Sequence, residues 1–196
     1  MADLPSTGVP VDGEAGVGYI LREGFDLPPL MFTRDEVSAL VLGARLAKAW
    51  GGARMALAAE EALIKVGAVL PENERAKLGQ TPLYALDFQL PDAVRTLLDR
   101  LDEAIERRER MRMAYQRLDG ERSERTVRPL GLYYWGKVWT LVAWCELRDD
   151  FRMFRVDRIG ETDGAGRFSQ EPGRTLRDFL KRMAREVEAG RRDPSS

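Results

Sequence analysis

RTVRPLGLYYWGKVWTLVAWCELRDDFRMFRVDRI, residues 125–159, is the stretch whose reading decides the fold of this 196-residue chain. It is dense in β-branched and aromatic residues, broken at short intervals by turn residues, and therefore predicts closely spaced strands. A strand from about Glu124 to Tyr134 ends at Trp135-Gly136, a tight turn. Pro129 lies inside it; proline has no N–H for a ladder, so a bulge or an edge is expected there. The next strand, Lys137 to Leu147, is apolar on both faces and should be buried on both. Arg148-Asp149-Asp150 turns the chain into a strand from Phe151 to Val156. Arginines stand beside the aromatic residues throughout. Guanidinium forks beside aromatic faces suit an anionic ligand, such as a nucleotide, a phosphate-bearing metabolite or a nucleic-acid strand.

Working outward, Met111 to Arg117 reads as an earlier strand, with Asp119-Gly120 as its turn. A short strand near Ile159 to Thr162 closes the set, and Asp163-Gly164-Ala165-Gly166 reads as a loop. Upstream, Pro91-Asp92 opens a helix with the apolar stripe Val94, Leu97, Leu98, Leu101, Ile105. Downstream, Pro172-Gly173 precedes a helix from about Thr175 to Glu188. Short, sequentially connected strands after one helix predict a small SH3-like or Sm-like β-barrel, residues 91–165, with a C-terminal helix and tail over 166–196. The fold class is α+β.

The N-terminal half is helical. Thr33-x-x-Glu36 is a capping box. The helix it starts should run to Trp50, where Gly51-Gly52 stops it. A second helix covers about Arg54 to Val69, and Pro71 opens a short one over Glu72 to Leu78. Residues 28–90 thus form a helical connector, with apolar faces that suggest a homodimer. Before it, Val9 to Asp12 and Val17 to Leu21 flank a glycine-bounded turn, a hairpin signal.

Composition narrows the chemistry. The chain has no histidine and one cysteine, Cys145. That removes His-based acid–base catalysis, His-assisted nucleophiles and cysteine-rich zinc sites. No phosphate-binding glycine loop is present, so the expectation is no enzyme, no cofactor and no metal. There is no run of about 18 apolar residues and no leader-like N-terminus, and a lone cysteine forms no intrachain disulfide. The expectation is a cytoplasmic protein without a membrane partner. The net charge of −1 hides an asymmetry: residues 108–158 carry 12 Lys/Arg against 8 Asp/Glu, whereas residues 1–107 carry 11 against 17. Positive charge collects in the predicted barrel, most of it as arginine.

The stretch also resembles the WYL domain of bacterial transcriptional regulators. The matching residues are Arg125-x-x-x-Pro129-Leu130, Ala143-Trp144-Cys145-Glu146-Leu147-Arg148 and Phe154-Arg155-Val156-Asp157-Arg158-Ile159. The family's Trp-Tyr-Leu stands here as Trp139-Thr140-Leu141, so threonine replaces the usual tyrosine. The resemblance is closest to the YafY-like subtype, a DeoR-type winged helix-turn-helix followed by a WYL sensor. It implies an Sm-like barrel. It also implies that residues 1–27 are the wing of that DNA-binding domain, most of whose helix-turn-helix would precede the sequence.

The ligand-binding residues expected on these grounds are Arg125, Arg148, Arg155 and Arg158, with Trp139 and Thr140 beside them. Without the tyrosine ring, Thr140 favours a phosphate-directed ligand over a stacked base. The implied function is a ligand-responsive transcriptional regulator, binding DNA in its full-length form and an anionic small molecule or single-stranded nucleic acid at the barrel. The alternative is a free-standing WYL sensor or adaptor that acts on a partner protein.

Overall fold

The computed structural model describes residues 11–12, 20–21, 30–73, 75, 90–136 and 138–192. Residues 1–40 and 41–196 form two compact units. In the first, β1 (Val11–Asp12) pairs antiparallel with β2 (Ile20–Leu21), in the register Val11 with Leu21. The rest of the expected hairpin lies outside the described residues. The predicted capping box is present: the Thr33 amide donates to Glu36 Oε2 at 2.6 Å, and the Glu36 amide donates to Thr33 Oγ1 at 3.3 Å. The Thr33 amide, with the Thr33 hydroxyl donating to the same oxygen at 2.8 Å, holds the Glu36 carboxyl below its ordinary value. The box opens α1 (Arg34–Trp50), which ends where the glycine pair predicted.

In the second unit, α2 (Ala53–Val69) follows at once, and α3 (Asp92–Glu106) packs against it. Of the expected short helix over 72–78, only residues 72, 73 and 75 are described, and they are helical. α3 joins the helices through its polar face. The Arg95 guanidinium donates to the carbonyls of Lys48, Ala49 and Gly51 at 2.9–3.1 Å, filling the orphan acceptors at the end of α1. Asp99 Oδ2 accepts from the Arg54 amide at 3.0 Å, which caps the start of α2. A Cβ on Gly52 would collide with the other oxygen of Asp99. Gly52 has an ordinary backbone, with φ −62°, so space and not conformation requires glycine there. A Gly52→Ala variant should therefore lose this cap and melt earlier, by about 1–2 kcal/mol of stability. A thermal midpoint equal to the parent's would show that Asp99 moves aside at no cost.

Five strands follow: β3 (Glu109–Gln116), β4 (Arg122–Tyr134), β5 (Trp139–Cys145), β6 (Asp150–Arg155) and β7 (Ile159–Arg167). They form one antiparallel sheet in the order β6-β5-β4-β3-β7. The bulge expected at Pro129 is there, as a register shift between Pro129 and Gly131. β7 is longer than the sequence suggested. Residues 163–166, read as a loop, pair with β3, with Arg112 opposite Asp163 and Met111 opposite Gly164. Pairing against an available edge outweighs the low strand preference of Asp and Gly.

The sheet is open but curled. β6 and β7 lie at opposite edges, yet only a single 3₁₀ turn, Val156–Arg158, joins them. Flat, the edges would stand about 19 Å apart, four strand spacings of about 4.8 Å. The four steps from Arg155 to Ile159 reach at most about 14 Å. Curling is the only way to connect them, and the ring of Tyr115 on β3 meets that of Phe154 on β6 edge-on at 5.0 Å. No ladder pairs β6 with β7. The hollow of the curl holds the core: Leu98, Leu101 and Ala104 of α3 against Met111, Met113, Val127, Leu141, Ala143, Cys145, Phe154 and Val156. Each fully buried aliphatic side chain contributes about 2 kcal/mol.

As its composition predicted, β5 is buried on both faces. Its second face carries Trp144, packed edge-on against Phe151 at 5.1 Å, which in turn meets Phe179 at 5.6 Å. Phe179 belongs to α4 (Leu176–Arg192), the predicted C-terminal helix. A capping box not foreseen in the sequence starts α4: Thr175 Oγ1 donates to Asp178 Oδ2 at 2.6 Å, and the Asp178 amide donates back at 3.2 Å.

Candidate functional site: an arginine cleft at the mouth of the curled sheet

The curl brings the far end of β3, the start of β4 and the β5–β6 turn around one opening. The cleft there has a volume of about 670 Å³ and is lined by Tyr115, Arg117, Leu118, Asp119, Arg125, Cys145, Arg148, Arg152, Met153, Phe154 and Arg158. Five arginines and one aspartate are its charged residues. Each arginine arrives from a different element, so the cluster is a product of the curl. Arg117 comes from the β3–β4 turn, Arg125 from β4, Arg148 from the β5–β6 turn, Arg152 from β6 and Arg158 from the 3₁₀ turn.

Their electrostatic states differ. Arg117 is paired with Glu121 at 3.0 Å, and Arg152 lies 3.8 Å from Asp150. Among the described residues no carboxylate lies within 4 Å of Arg125, Arg148 or Arg158. The Arg125 guanidinium donates only to the carbonyl of Glu124, at 3.3 Å. Three guanidiniums therefore face the cleft with donors to spare. Each has a planar fork that matches a carboxylate or phosphate. The aromatic rings are less available. Tyr115 and Phe154 are engaged edge-on with each other, which leaves little open π-face for a base.

Of the six residues singled out in the sequence, the structure gathers Arg125, Arg148 and Arg158. Arg155 takes another path. Its Nε and Nη2 donate to the two oxygens of Asp157 at 3.0 and 2.6 Å, and it is not among the cleft-lining residues. This two-point contact holds the Asp157 carboxyl below its ordinary value, with Arg158 adding to the effect. Thr140 is buried, opposite Tyr133 and Arg155 in the sheet. Trp139 serves a helix: its Nε1 donates to the Trp50 carbonyl at 2.6 Å, and Tyr134 packs between the two indoles, 5.5 Å from Trp50 and 5.2 Å from Trp139. Arg117 and Arg152 were missed. Strand alternation places Arg152 on the same side as Phe154 and Arg158, so that signal was in the sequence.

A second arginine feature was also missed. Arg128, 7% exposed in its side chain, donates from Nε to Glu146 and from Nη1 to Glu171, both at 2.7 Å. Arg110 also reaches Glu146, at 3.3 Å. Arg174 continues the chain of charges, meeting Glu171 at 2.8 Å and Asp149 at 3.0 Å while lying over the Trp144 ring. This network ties the segment before α4 to β4 and to the β5–β6 turn. The same turn carries Arg148 into the cleft.

No helix among the described residues is long and apolar enough to cross a membrane. Residues 96–163 match the family model of the WYL domain, from within α3 to the middle of β7. The match contains the cleft and every residue that lines it, so the chain carries a WYL domain there. A solved structure, proteasome accessory factor B/C (PafBC) of Arthrobacter aurescens, is similar to the chain at 22% identity with a TM-score of 0.40. The similarity covers 74% of this chain and 22% of that one, so the chain spans about a fifth of that protein's length.

Proposed function

We propose that this protein is a regulatory WYL-domain protein whose curled sheet, read as an SH3-like or Sm-like barrel, senses a polyanion in the arginine cleft. The observation that carries the reading is the convergence of Arg125, Arg148 and Arg158 on one opening, none of them paired to a carboxylate among the described residues. Uncompensated arginines repel one another and cost stability, which an anion spanning them would recover. A cleft of about 670 Å³ has room for several phosphate groups in sequence. Phosphates would carry the affinity, because guanidiniums outnumber free aromatic faces. A nucleotide or a single-stranded nucleic acid suits this arrangement. Within the whole regulator, DNA would be the second partner, read by a winged helix-turn-helix of the YafY-like kind, and ligand binding would alter that contact.

The test is a titration of a fluorescent oligothymidylate by anisotropy, competed by inorganic triphosphate and by a nucleoside triphosphate. If three phosphates are engaged, the logarithm of the association constant should fall with the logarithm of salt with a slope of about −2, at about 0.7 per phosphate on a single strand. Competition by triphosphate alone would assign recognition to phosphate. An affinity unchanged between about 50 and 200 mM salt would overturn the reading.

A further inference from the structure

α2 carries a face that no described residue of its own unit covers. Its buried side, around Ala59, turns toward α3. On the opposite side, Leu57, Ala58, Glu61, Ile64, Lys65 and Ala68 are all exposed, with Leu57 at 64% and Ile64 at 67%. At 100° per residue these six fall within one stripe about 120° wide. Two large aliphatic residues, two alanines and one opposite-charge pair make an unusual solvent face. Glu61 and Lys65 have no ion-pair partner among the described residues.

The order of these residues fits a second copy of the same helix run in reverse. An antiparallel pair centred on residue 63 places position i against position 126 minus i. Glu61 then meets Lys65 of the second copy, and by symmetry Lys65 meets Glu61 of the second copy. Ala58 meets Ala68, small against small, so the backbones approach closely. Leu57 falls beside Ala68, and Ile64 beside the aliphatic stem of Glu61. A parallel pair would instead set Glu61 against Glu61 and Lys65 against Lys65, which repel. The charge order therefore selects the antiparallel arrangement, an isologous interface with a two-fold axis.

We propose that this face of α2 is the surface through which two copies of the chain associate, antiparallel, with reciprocal Glu61–Lys65 pairs. The inference does not depend on the ligand reading, since the cleft and the α2 face share no residue.

The experiment uses sedimentation equilibrium on the full chain over about 1–100 µM. The parent should dimerise. Glu61→Lys alone sets lysine against lysine twice, and Lys65→Glu alone sets glutamate against glutamate twice. Each variant should raise the dimer dissociation constant by about tenfold or more. Mixed in equal amounts, the two variants should associate with each other at least as well as the parent does, because both contacts become attractive in the mixed pair. Circular dichroism confirms that each is folded, and exposed charge changes on a helix surface leave folding largely untouched. A monomeric parent would overturn the proposal. So would single variants that dimerise as the parent does, or a mixture that gains nothing over its components.

Discussion

Arg128→Ala should be the most destabilising single substitution outside the apolar core, costing about 3 kcal/mol. Removing one partner of a buried ion pair leaves its counter-charges stranded, and such losses run to about 3–5 kcal/mol. The lower end applies here, because Glu146 and Glu171 retain 30% and 44% of their side-chain exposure and can be rehydrated. Arg128 is also the residue through which the segment before α4 is fastened to β4. Its loss should expose amides of residues 168–175 to hydrogen exchange before the sheet opens. Denaturant unfolding reads the first effect and exchange the second. A variant as stable as the parent would mean that Arg110 and Arg174 suffice to neutralise both glutamates.

The same network predicts a dependence on pH. Arg128 holds the Glu171 carboxyl below its ordinary value, with Arg174 adding to the effect. A carboxyl with a depressed folded-state pKa stabilises the fold above its unfolded-state pKa. That contribution is lost as pH falls through the folded value. Asp150 behaves alike: partial desolvation pushes its carboxyl up, but the Arg182 guanidinium, the Phe151 amide and the charge of Arg152 together hold it below its ordinary value. The parent should therefore lose stability on acidification below the ordinary carboxylate range, and Arg128→Ala should lose less over that interval.

Replacing Arg125 and Arg148 together by alanine should have the largest effect on ligand binding, a loss of about 100-fold or more for a single-stranded oligonucleotide. Each charge-assisted hydrogen bond is worth about 1.5–3 kcal/mol. The two residues face the same cleft, so their effects will not simply add. The salt slope should also shrink, by about 0.7 for each phosphate contact removed. Neither guanidinium has a carboxylate partner among the described residues, so the fold should lose nothing and could gain from relieved repulsion. Arg155→Ala is the informative comparison. Its guanidinium is committed to Asp157, and its loss should change affinity by no more than about threefold. A folded double variant that binds as tightly as the parent would remove the cleft from consideration.

The amino-acid sequence by itself determined most of the local structure. The Thr33–Glu36 capping box and the Gly51-Gly52 stop fixed both ends of α1, because each acts through hydrogen bonds and backbone space within a few residues. Likewise Pro129 located the bulge in β4, since a missing N–H interrupts a ladder wherever the strand is placed. The two-sided apolar pattern of β5 announced its burial on both faces. The arginine-rich, aromatic strands also carried the resemblance to a WYL domain that the comparison over residues 96–163 bears out.

Tertiary structure decided which arginines act together. Alternation along β6 separates Arg152 from Arg155, but only the curl of the sheet brings Arg152 to the same opening as Arg117 and Arg125, distant in sequence. It also decided which charges cancel. Arg128 looks no different from Arg125 in the sequence, yet one is buried between two glutamates and the other has no carboxylate partner among the described residues. Trp139 and Thr140, prominent in the motif, were assigned to helix docking and to the sheet interior, because side-chain direction depends on what packs above each face. Residues 163–166 became strand for the same reason: an unpaired edge of β3 offered hydrogen bonds that local preference could not foresee. Short-range geometry is written in neighbouring residues, whereas a site assembled from five elements exists only once the sheet has curled around it.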